Sequence, residues 1–192
     1  MRRLAFAVAA VAVAFAMAAP ADASEASALQ AKVRAALRSA KSFVATASIR
    51  PGLTAPNGGA VVYTFVAPDR FRQTVSGMPG ADDTIIIGNK VYGNSGGGWD
   101  VQTWSDRLVN GFEGDLLDFK IVSIGPESTD TTGTFIAIDP HGAKSSDTMQ
   151  CTYDKQTSRP MACITSYETI TFKRFDDPAV TIATPEHAKK LD

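Results

Sequence analysis

The chain has 192 residues, and its 19 basic and 20 acidic side chains give a net charge of −1. A nucleic-acid partner favours a strongly basic face, so this near-balance leads us to expect no nucleic-acid ligand. The length suits one domain with a substantial core, and the sequence has no internal repeat or low-complexity linker that would mark a second domain.

The N-terminus has the three parts of a secretory signal peptide. Arg2 and Arg3 provide the positive start, and Leu4 to Ala19 provide the apolar run. The small residues of Ala21-Asp22-Ala23 form a cleavage site. We therefore predict that residues 1 to 23 are a signal peptide and that cleavage occurs before Ser24.

Residues 24 to 192 should then form a single domain in the periplasm or outside the cell. A retained membrane anchor is the alternative, but the N-terminal apolar run is shorter than the ~20 residues that a spanning helix needs. The remaining sequence has no apolar run of that length. A lipid-anchored protein would need a cysteine just after the apolar run, and the first cysteine is Cys151.

Residues 25 to 41 have the spacing of an amphipathic helix. Leu29, Val33 and Leu37 recur every four residues and form one apolar stripe. Glu25 lies in the first turn and basic residues follow later, which is the order that the helix macrodipole favours. We predict one helix that packs against the rest of the domain.

After residue 43 the pattern changes to short β-rich runs separated by Gly, Pro, Asn and Asp, which is typical of antiparallel strands and turns. The strands are predicted near residues 43–50, 60–66, 70–76, 83–88, 90–93, 98–101, 120–127, 132–139, 147–154, 161–166 and 168–174. One helix followed by these strands predicts an α+β domain.

A second helical pattern interrupts the strands, since Trp104, Leu108, Phe112 and Leu116 recur every four residues. Two glycines within the segment weaken this pattern. The segment is either a helix packed on the sheet or a lid over an apolar concavity.

Two strand segments are apolar on both faces, namely Val61 to Val66 and Thr84 to Ile87. An antiparallel sheet usually has one apolar face and one solvated face, so both faces of these strands should be covered. A curved sheet that wraps a helix and leaves apolar surface for a ligand would explain this composition. Oligomerisation would explain it as well.

The two cysteines, Cys151 and Cys163, lie on either side of turn-forming residues. Exported proteins retain disulfides, so we predict a Cys151–Cys163 bond across a hairpin. Such a bond would stabilise the fold by roughly 2 to 4 kcal/mol. A redox-active pair is the alternative, but the spacing is far from Cys-x-x-Cys.

Motifs for catalysis or metal binding are absent from the sequence. His141 and His187 both lie in loop-like sequence without a partner group, and the adjacent acids Asp82-Asp83 and Asp176-Asp177 lie in turn sequence. We find no Walker loop, no Gly-x-Ser-x-Gly and no His-Glu-x-x-His. We therefore expect no catalytic site, no metal and no cofactor.

Four segments resemble the periplasmic lipoprotein carrier superfamily. They are residues 63–72, with a Pro-Asp-Arg-Phe-Arg turn; residues 86–92, with Ile-Gly-Asn-Lys-Val-Tyr; Gly97-Gly98-Trp99; and Phe175 to Pro185, which is similar to a C-terminal strand of related lipid-binding lipoproteins.

This resemblance implies a curved antiparallel sheet, an open half-barrel of about 8–11 strands, that wraps the N-terminal helix and the internal lid-like segment. It also implies an apolar cavity that accepts acyl chains. Arg70 and Arg72 lie in the turn that matches the carrier's lid-latching arginine, although solvated edge residues are the alternative interpretation. The cysteine that anchors lipoprotein members is missing here.

Apolar lining should dominate affinity for such a ligand, because a sixteen-carbon chain is worth on the order of 12 kcal/mol at about 0.8 kcal/mol per methylene. The predicted ligand-binding residues are the large apolar side chains of the strands and of the lid-like segment: Phe65, Phe71, Ile85, Ile87, Tyr92, Trp99, Trp104, Phe112 and Leu116. The alternative is that most of them are ordinary core.

These observations predict a soluble periplasmic carrier or binding protein for a lipid-like or acylated molecule. The alternative is an envelope interaction or sensor domain of the same fold that binds a partner protein. An enzyme of unknown chemistry is a weaker third hypothesis, because no catalytic motif is present.

Overall fold

The structure is a computed structural model that describes residues 21–52, 55–78, 82–94, 96–104, 119–126, 129–138 and 148–191. Within these ranges it contains one helix, α1 (Ala21–Arg38), and a single twelve-stranded sheet. The strands are β1 (Ser42–Ile49), β2 (Gly59–Val66), β3 (Arg70–Ser76), β4 (Asp83–Ile87), β5 (Lys90–Asn94), β6 (Trp99–Thr103), β7 (Lys120–Ile124), β8 (Thr132–Ile138), β9 (Thr148–Asp154), β10 (Pro160–Ile164), β11 (Glu168–Lys173) and β12 (Lys189–Lys190).

The predicted N-terminal helix and all the predicted strands are present, with boundaries that differ by a few residues. The predicted number of strands is too low, because the two-residue β12 was missed. The C-terminal strand implied over Phe175 to Pro185 is wrong. Turns and irregular backbone occupy this segment, which agrees with the inability of Pro178 and Pro185 to donate backbone hydrogen bonds to a ladder.

The strand order is β12-β6-β5-β4-β3-β2-β1-β11-β10-β9-β8-β7. All neighbours pair antiparallel except β12, which pairs parallel with β6. No pairing joins β12 to β7 in the described ranges, so the sheet is open. Ile86 of β4 and Phe135 of β8 share one core cluster with α1, although a flat sheet would separate them by about 34 Å at ~4.8 Å per strand. The sheet is therefore curved around the helix.

Helix α1 covers part of the concave side of the sheet, which we call the inner face. Its predicted apolar stripe is buried there: Leu29, Val33 and Leu37 are all at most 7% exposed. Gln30 fixes the helix to the edge strand β7. Its Nε2 donates to the Phe119 carbonyl at 3.0 Å and its Oε1 accepts from the Ile121 N–H at 3.1 Å, as the backbone of a neighbouring strand would.

A C-terminal strap, residues 174–191, crosses the opposite, outer face. It buries Ile182 against Ile85 and Tyr92. The Nη1 of Arg70 donates to the Ile182 carbonyl at 2.8 Å, and the strap ends by pairing β12 with β6. The expectation that both faces of the apolar strands are covered is therefore confirmed: α1 covers inner-face residues, and the strap covers outer-face residues.

The strap begins at a polar contact with the start of β1. The Lys41 N–H donates to the Asp176 carboxylate at 2.7 Å, and Arg159 forms an ion pair with the same carboxylate. These contacts hold the pKa of Asp176 below its usual value, and the hydrogen bond from Lys41 has a larger effect than the bond from Arg159. The guanidinium of Arg159 also lies 4.9 Å from the centre of the Phe175 ring.

The predicted disulfide is confirmed. Cys151 of β9 and Cys163 of β10 are bonded, and they are direct cross-strand partners in one hairpin. Both are buried in the core cluster that contains α1. No helix in the described part of the chain is both long enough and apolar enough to cross a bilayer.

Candidate functional site

The strand register divides the inner face into rows, because cross-strand partners lie on the same face of a sheet. One row is apolar and consists of the successive partners Phe43, Phe65, Phe71, Ile86 and Val91. The next row begins with Ala45 and Tyr63 and becomes polar at Gln73, Thr84, Gly93 and Asp100. The two rows are two residues apart along each strand, which is about 7 Å.

The apolar row is well packed beside α1 and less covered toward β5. The rings of Phe43 and Phe65 stack with centres 5.3 Å apart, and Phe71 and Ile86 are buried. Val91, at the β5 end of the row, is only half-buried. Further half-buried apolar side chains adjoin the same core on the inner face: Tyr63, Met149, Tyr153 and Ile170. Apolar surface therefore extends beyond the part that α1 buries.

A groove of about 240 Å³ lies on β5 and β6 where the apolar row ends. Its lining combines one end of the apolar row with carboxylates and amides: Asp82, Val91, Gly93, Asn94, Asp100, Gln102 and Leu191. Gly93 keeps the groove open, since a Cβ built there would have no atom within 4 Å. Any larger residue at position 93 would place its side chain in this space.

A third carboxylate, that of Glu168, lies on the inner face at the start of β11. Its cross-strand partner is Ile49 of β1. Burial raises the pKa of Glu168, and within the described ranges its carboxylate has no hydrogen bond or ion pair to offset that burial. Across β11 and β1 to β6, the register places no lysine or arginine on the inner face. The charges that face inward from these seven strands are therefore negative, and the short β12 places Lys189 as the cross-strand partner of Asp100.

The structure divides the predicted ligand-binding residues between two surfaces. Phe65 and Phe71 lie on the inner face in the core beside α1. Four others lie on the outer face in the cluster under the strap: Ile85, Ile87, Tyr92 and Trp99. Trp104 is 47% exposed just after β6. Phe112 and Leu116, with the rest of the predicted lid, lie outside the described residues.

Both arginines compared with the lid-latching arginine lie on the outer face, away from α1. Arg70 bonds the strap at Ile182. Arg72 forms an ion pair with Asp83 at 2.8 Å. Each contact holds parts of the chain together on the outer side of the sheet.

Sequence reasoning missed the inner-face residues Val91, Gly93, Asp100 and Glu168. A signal for Val91 and Gly93 was available, because the two-residue turn Gly88-Asn89 fixes the register of β4 against β5, whereas the position of Asp100 depends on the pairing of β5 with β6. The register of β4 against β5 pairs Ile86 with Val91. The position of Glu168 depends on pairing between β1 and β11, which are far apart in the sequence.

The remaining sequence candidates occupy structural or surface positions. His187 is exposed in a turn of the strap with a φ of 58°, and His141 lies outside the described residues. The neighbour of Asp176, Asp177, pairs with Arg174 at 2.8 Å. Within the described ranges, no group of three or more His, Cys, Asp or Glu side chains is arranged to hold a metal ion.

No protein-family model matches the sequence, and no curated protein matches it. Among solved structures, it is similar to the lipoprotein LppX of Mycobacterium tuberculosis, with 12% identity, a TM-score of 0.48, and coverage of 79% of this chain and 97% of LppX. It is also similar to LprF of Mycobacterium bovis, with 14% identity, a TM-score of 0.47, and coverage of 85% and 98%.

A third similar structure is a LolA superfamily protein of Nitrosomonas europaea, with 10% identity, a TM-score of 0.35, and coverage of 84% of this chain and 95% of that protein.

Proposed function

We propose that this protein is an extracytoplasmic carrier or binding protein that holds a lipid-like or acylated molecule against the inner face of its sheet, without transforming it. The observation that carries this proposal is the apolar surface that α1 leaves half-covered, which ends at the groove beside Val91. Contact with an acyl chain would remove this surface from water, and burial of apolar surface stabilises a complex by about 25 cal/mol for each Å² buried.

The groove suggests how such a ligand would be placed. Its volume of about 240 Å³ is below the roughly 300 to 1,000 Å³ of typical small-molecule sites, so it suits one end of a lipid. The chain would extend from Val91 along the apolar row, between α1 and the sheet. Among the described residues, side-chain hydrogen bonds from Gln30 and Arg34 hold α1 to β7, and a modest shift of the helix would widen this space.

A pair of valines on opposite faces provides the test. Val91 lies on the inner face and Val62 on the outer face, and both are half-buried in strands. We expect Val91→Asp to abolish binding of an added long-chain amphiphile, because a carboxylate beside the chain is poorly solvated. Val62→Asp should bind as the wild type does. Native mass spectrometry after purification without detergent measures bound lipid, and circular dichroism checks the fold of both variants.

Equal binding by the two variants would contradict the proposed site. A wild-type protein that retains no lipid and binds no added amphiphile would contradict the proposed function itself. Trp99 is a poor reporter for this assay because it lies in the outer-face cluster under the strap.

A second candidate function, binding of an envelope protein, is favoured by the edge strand β7. Val122 and Ile124 are each 41% exposed on this edge, and exposed apolar edge strands pair readily with other chains. Val122→Lys should then weaken a purified complex with a partner while leaving lipid binding unchanged. A complex that tolerates Val122→Lys would rule out this edge as the contact.

A further inference from the structure

The outer face has an uncharged surface on the half of the sheet away from β4 to β6, where the strap buries its apolar cluster. On β8 to β11 and β1, the register places two rows of residues on this face, one from Thr134 to Thr46 and one from Ile136 to Ser48. The intervening positions are threonine, alanine, glutamine and isoleucine. These five strands therefore present a continuous outer surface without a charge in either row.

Large apolar side chains project from the β10–β11 hairpin of this surface. Met161 and Ile164 of β10 are 45% and 47% exposed, and Tyr167 in the following turn is 49% exposed. The half-buried Ile136 lies in the same row as Ile164, with one strand between them. Single exposed apolar residues are ordinary, but a cluster within a polar surround marks a contact with a protein or a membrane.

Three exposed cations border this surface. Lys120 is the cross-strand partner of Ile138, and Lys173 faces outward at the end of β11. Arg50 follows β1 and lies beside the hairpin turn, where its N–H donates to the Tyr167 carbonyl at 2.8 Å. None of the three cations forms an ion pair within the described part of the chain.

The nearby acidic residues lie away from the exposed apolar side chains or face the other side of the sheet. Glu168 faces inward. Asp154 faces outward at the far end of β9, about 13 Å along the strand from the partner of Ile164. Its carboxylate already accepts two hydrogen bonds from Thr157, both of 2.7 Å. The hairpin side of the surface is therefore apolar with a positive border, although the whole chain has a net charge of −1.

We infer that this outer surface docks on a bilayer that contains anionic lipids, with Ile164 and Tyr167 entering the headgroup region and Arg50, Lys120 and Lys173 contacting lipid phosphates. Tyrosine suits this depth because its ring is apolar and its hydroxyl remains hydrated. Cations near an anionic leaflet are attracted to its negative surface potential. This contact goes beyond the proposed function and does not depend on the inner face.

A bilayer fits this surface better than a second copy of the chain does. Five strands and two rows cover roughly 24 Å by 14 Å, or about 340 Å², at ~4.8 Å per strand and about 7 Å per row. A stable protein interface buries about 800 Å² on each partner. Because the sheet curves around α1, its outer face is convex, and two convex faces touch over still less area. Side chains that enter a fluid bilayer need no matching shape.

Co-sedimentation with vesicles tests the inference on the wild-type protein. We expect binding to vesicles of phosphatidylcholine and phosphatidylglycerol in a two-to-one ratio, and much weaker binding to phosphatidylcholine alone. The double variant Ile164→Ser, Tyr167→Ser should weaken binding roughly tenfold, because the lost side chains can no longer leave water. Trp104→Ser is the control, since Trp104 is also 47% exposed but lies after β6, and it should bind as the wild type does.

A second pair of variants tests the positive border. Lys120→Gln with Lys173→Gln should weaken binding to the anionic vesicles by at least about fivefold. Lys32→Gln with Arg38→Gln removes the same charge from exposed positions of α1 and should have little effect. Circular dichroism checks that every variant folds. All of them should hold a long-chain amphiphile as the wild type does, so failure of docking and failure of the proposed function are separate results.

Three outcomes would overturn the inference. Wild-type protein that sediments with neither kind of vesicle would leave a protein partner as the occupant of this surface. Equal binding to the neutral and the anionic vesicles would contradict the role of the cations. Variants of the surface that bind as tightly as their controls would show that another part of the molecule meets the bilayer.

Discussion

Replacement of Ile182 by alanine would show whether the outer apolar cluster is core or ligand surface. Ile182 is 6% exposed and packs against Ile85 and Tyr92 on the outer face. The substitution removes three carbon groups, worth roughly 2.4 kcal/mol at about 0.8 kcal/mol each. Replacement of a buried isoleucine by alanine typically lowers the free energy of unfolding by about 2 to 5 kcal/mol, and the cost is smaller where the surroundings can close the cavity. Because the strap can move onto the sheet, we expect a loss of about 2 to 3 kcal/mol.

Denaturant unfolding followed by circular dichroism measures this loss, and Thr181→Ala, at the exposed neighbouring position, is the control. The control should change the free energy of unfolding by less than about 0.5 kcal/mol. Combining Ile182→Ala with Ile85→Ala should reveal a coupling energy of at least about 0.5 kcal/mol, because the two side chains share one cluster. Amphiphile binding should be unchanged. A loss as small as that of the control, or a loss of binding in a folded variant, would refute this assignment of the outer face.

Three further predictions concern the disulfide and two carboxylates. Replacing Cys151 and Cys163 together by serine should lower the free energy of unfolding by roughly 2 to 4 kcal/mol. Alkylation of the wild type without reductant should add no label to its intact mass, and the same mass spectrum tests cleavage before Ser24. Glu168→Gln should raise the free energy of unfolding at pH 7 and change it little below pH 4.5, the ordinary pKa of this carboxyl. The reason is that burial raises the pKa in the folded state, so the wild type loses stability as pH rises from the ordinary value through the folded-state value. Equal pH profiles for the two proteins would contradict this. The pKa of Asp176 is lowered in the folded state, so its contribution to stability is present above the ordinary pKa of 3.8 and is lost as pH falls through the folded-state pKa. Asp176→Asn should therefore destabilise the protein at pH 7 and make its stability fall less steeply at acid pH. An unchanged fall of stability at acid pH would contradict this assignment.

Local patterns were sufficient to locate most of the fold. The four-residue spacing of Leu29, Val33 and Leu37 predicted α1, and period-two runs between turn formers predicted the strands, because both signals come from neighbouring residues. The disulfide followed from two cysteines flanking one hairpin. The apolar run Thr84 to Ile87 correctly indicated that both faces are covered.

What covers each face could not be predicted in the same way. Ile85 and Ile86 are adjacent, yet one meets the strap and the other meets the core beside α1. The strap was interpreted as a strand only because Phe175 to Pro185 resembles a C-terminal strand of related lipid-binding lipoproteins. Its path is set by contacts with Arg70 and β6, which lie about a hundred residues away. The predicted ligand set therefore combined residues of two surfaces.

The most direct test of the central claim is photo-crosslinking with a fatty acyl chain that carries a diazirine, followed by residue-level peptide mass spectrometry. A ligand on the inner face predicts labels at Tyr63, Val91 or Ile170, and an excess of unlabelled amphiphile should abolish them. Labels confined to Trp99 and Ile182 on the outer face, or no labelling that a competitor reduces, would contradict the account.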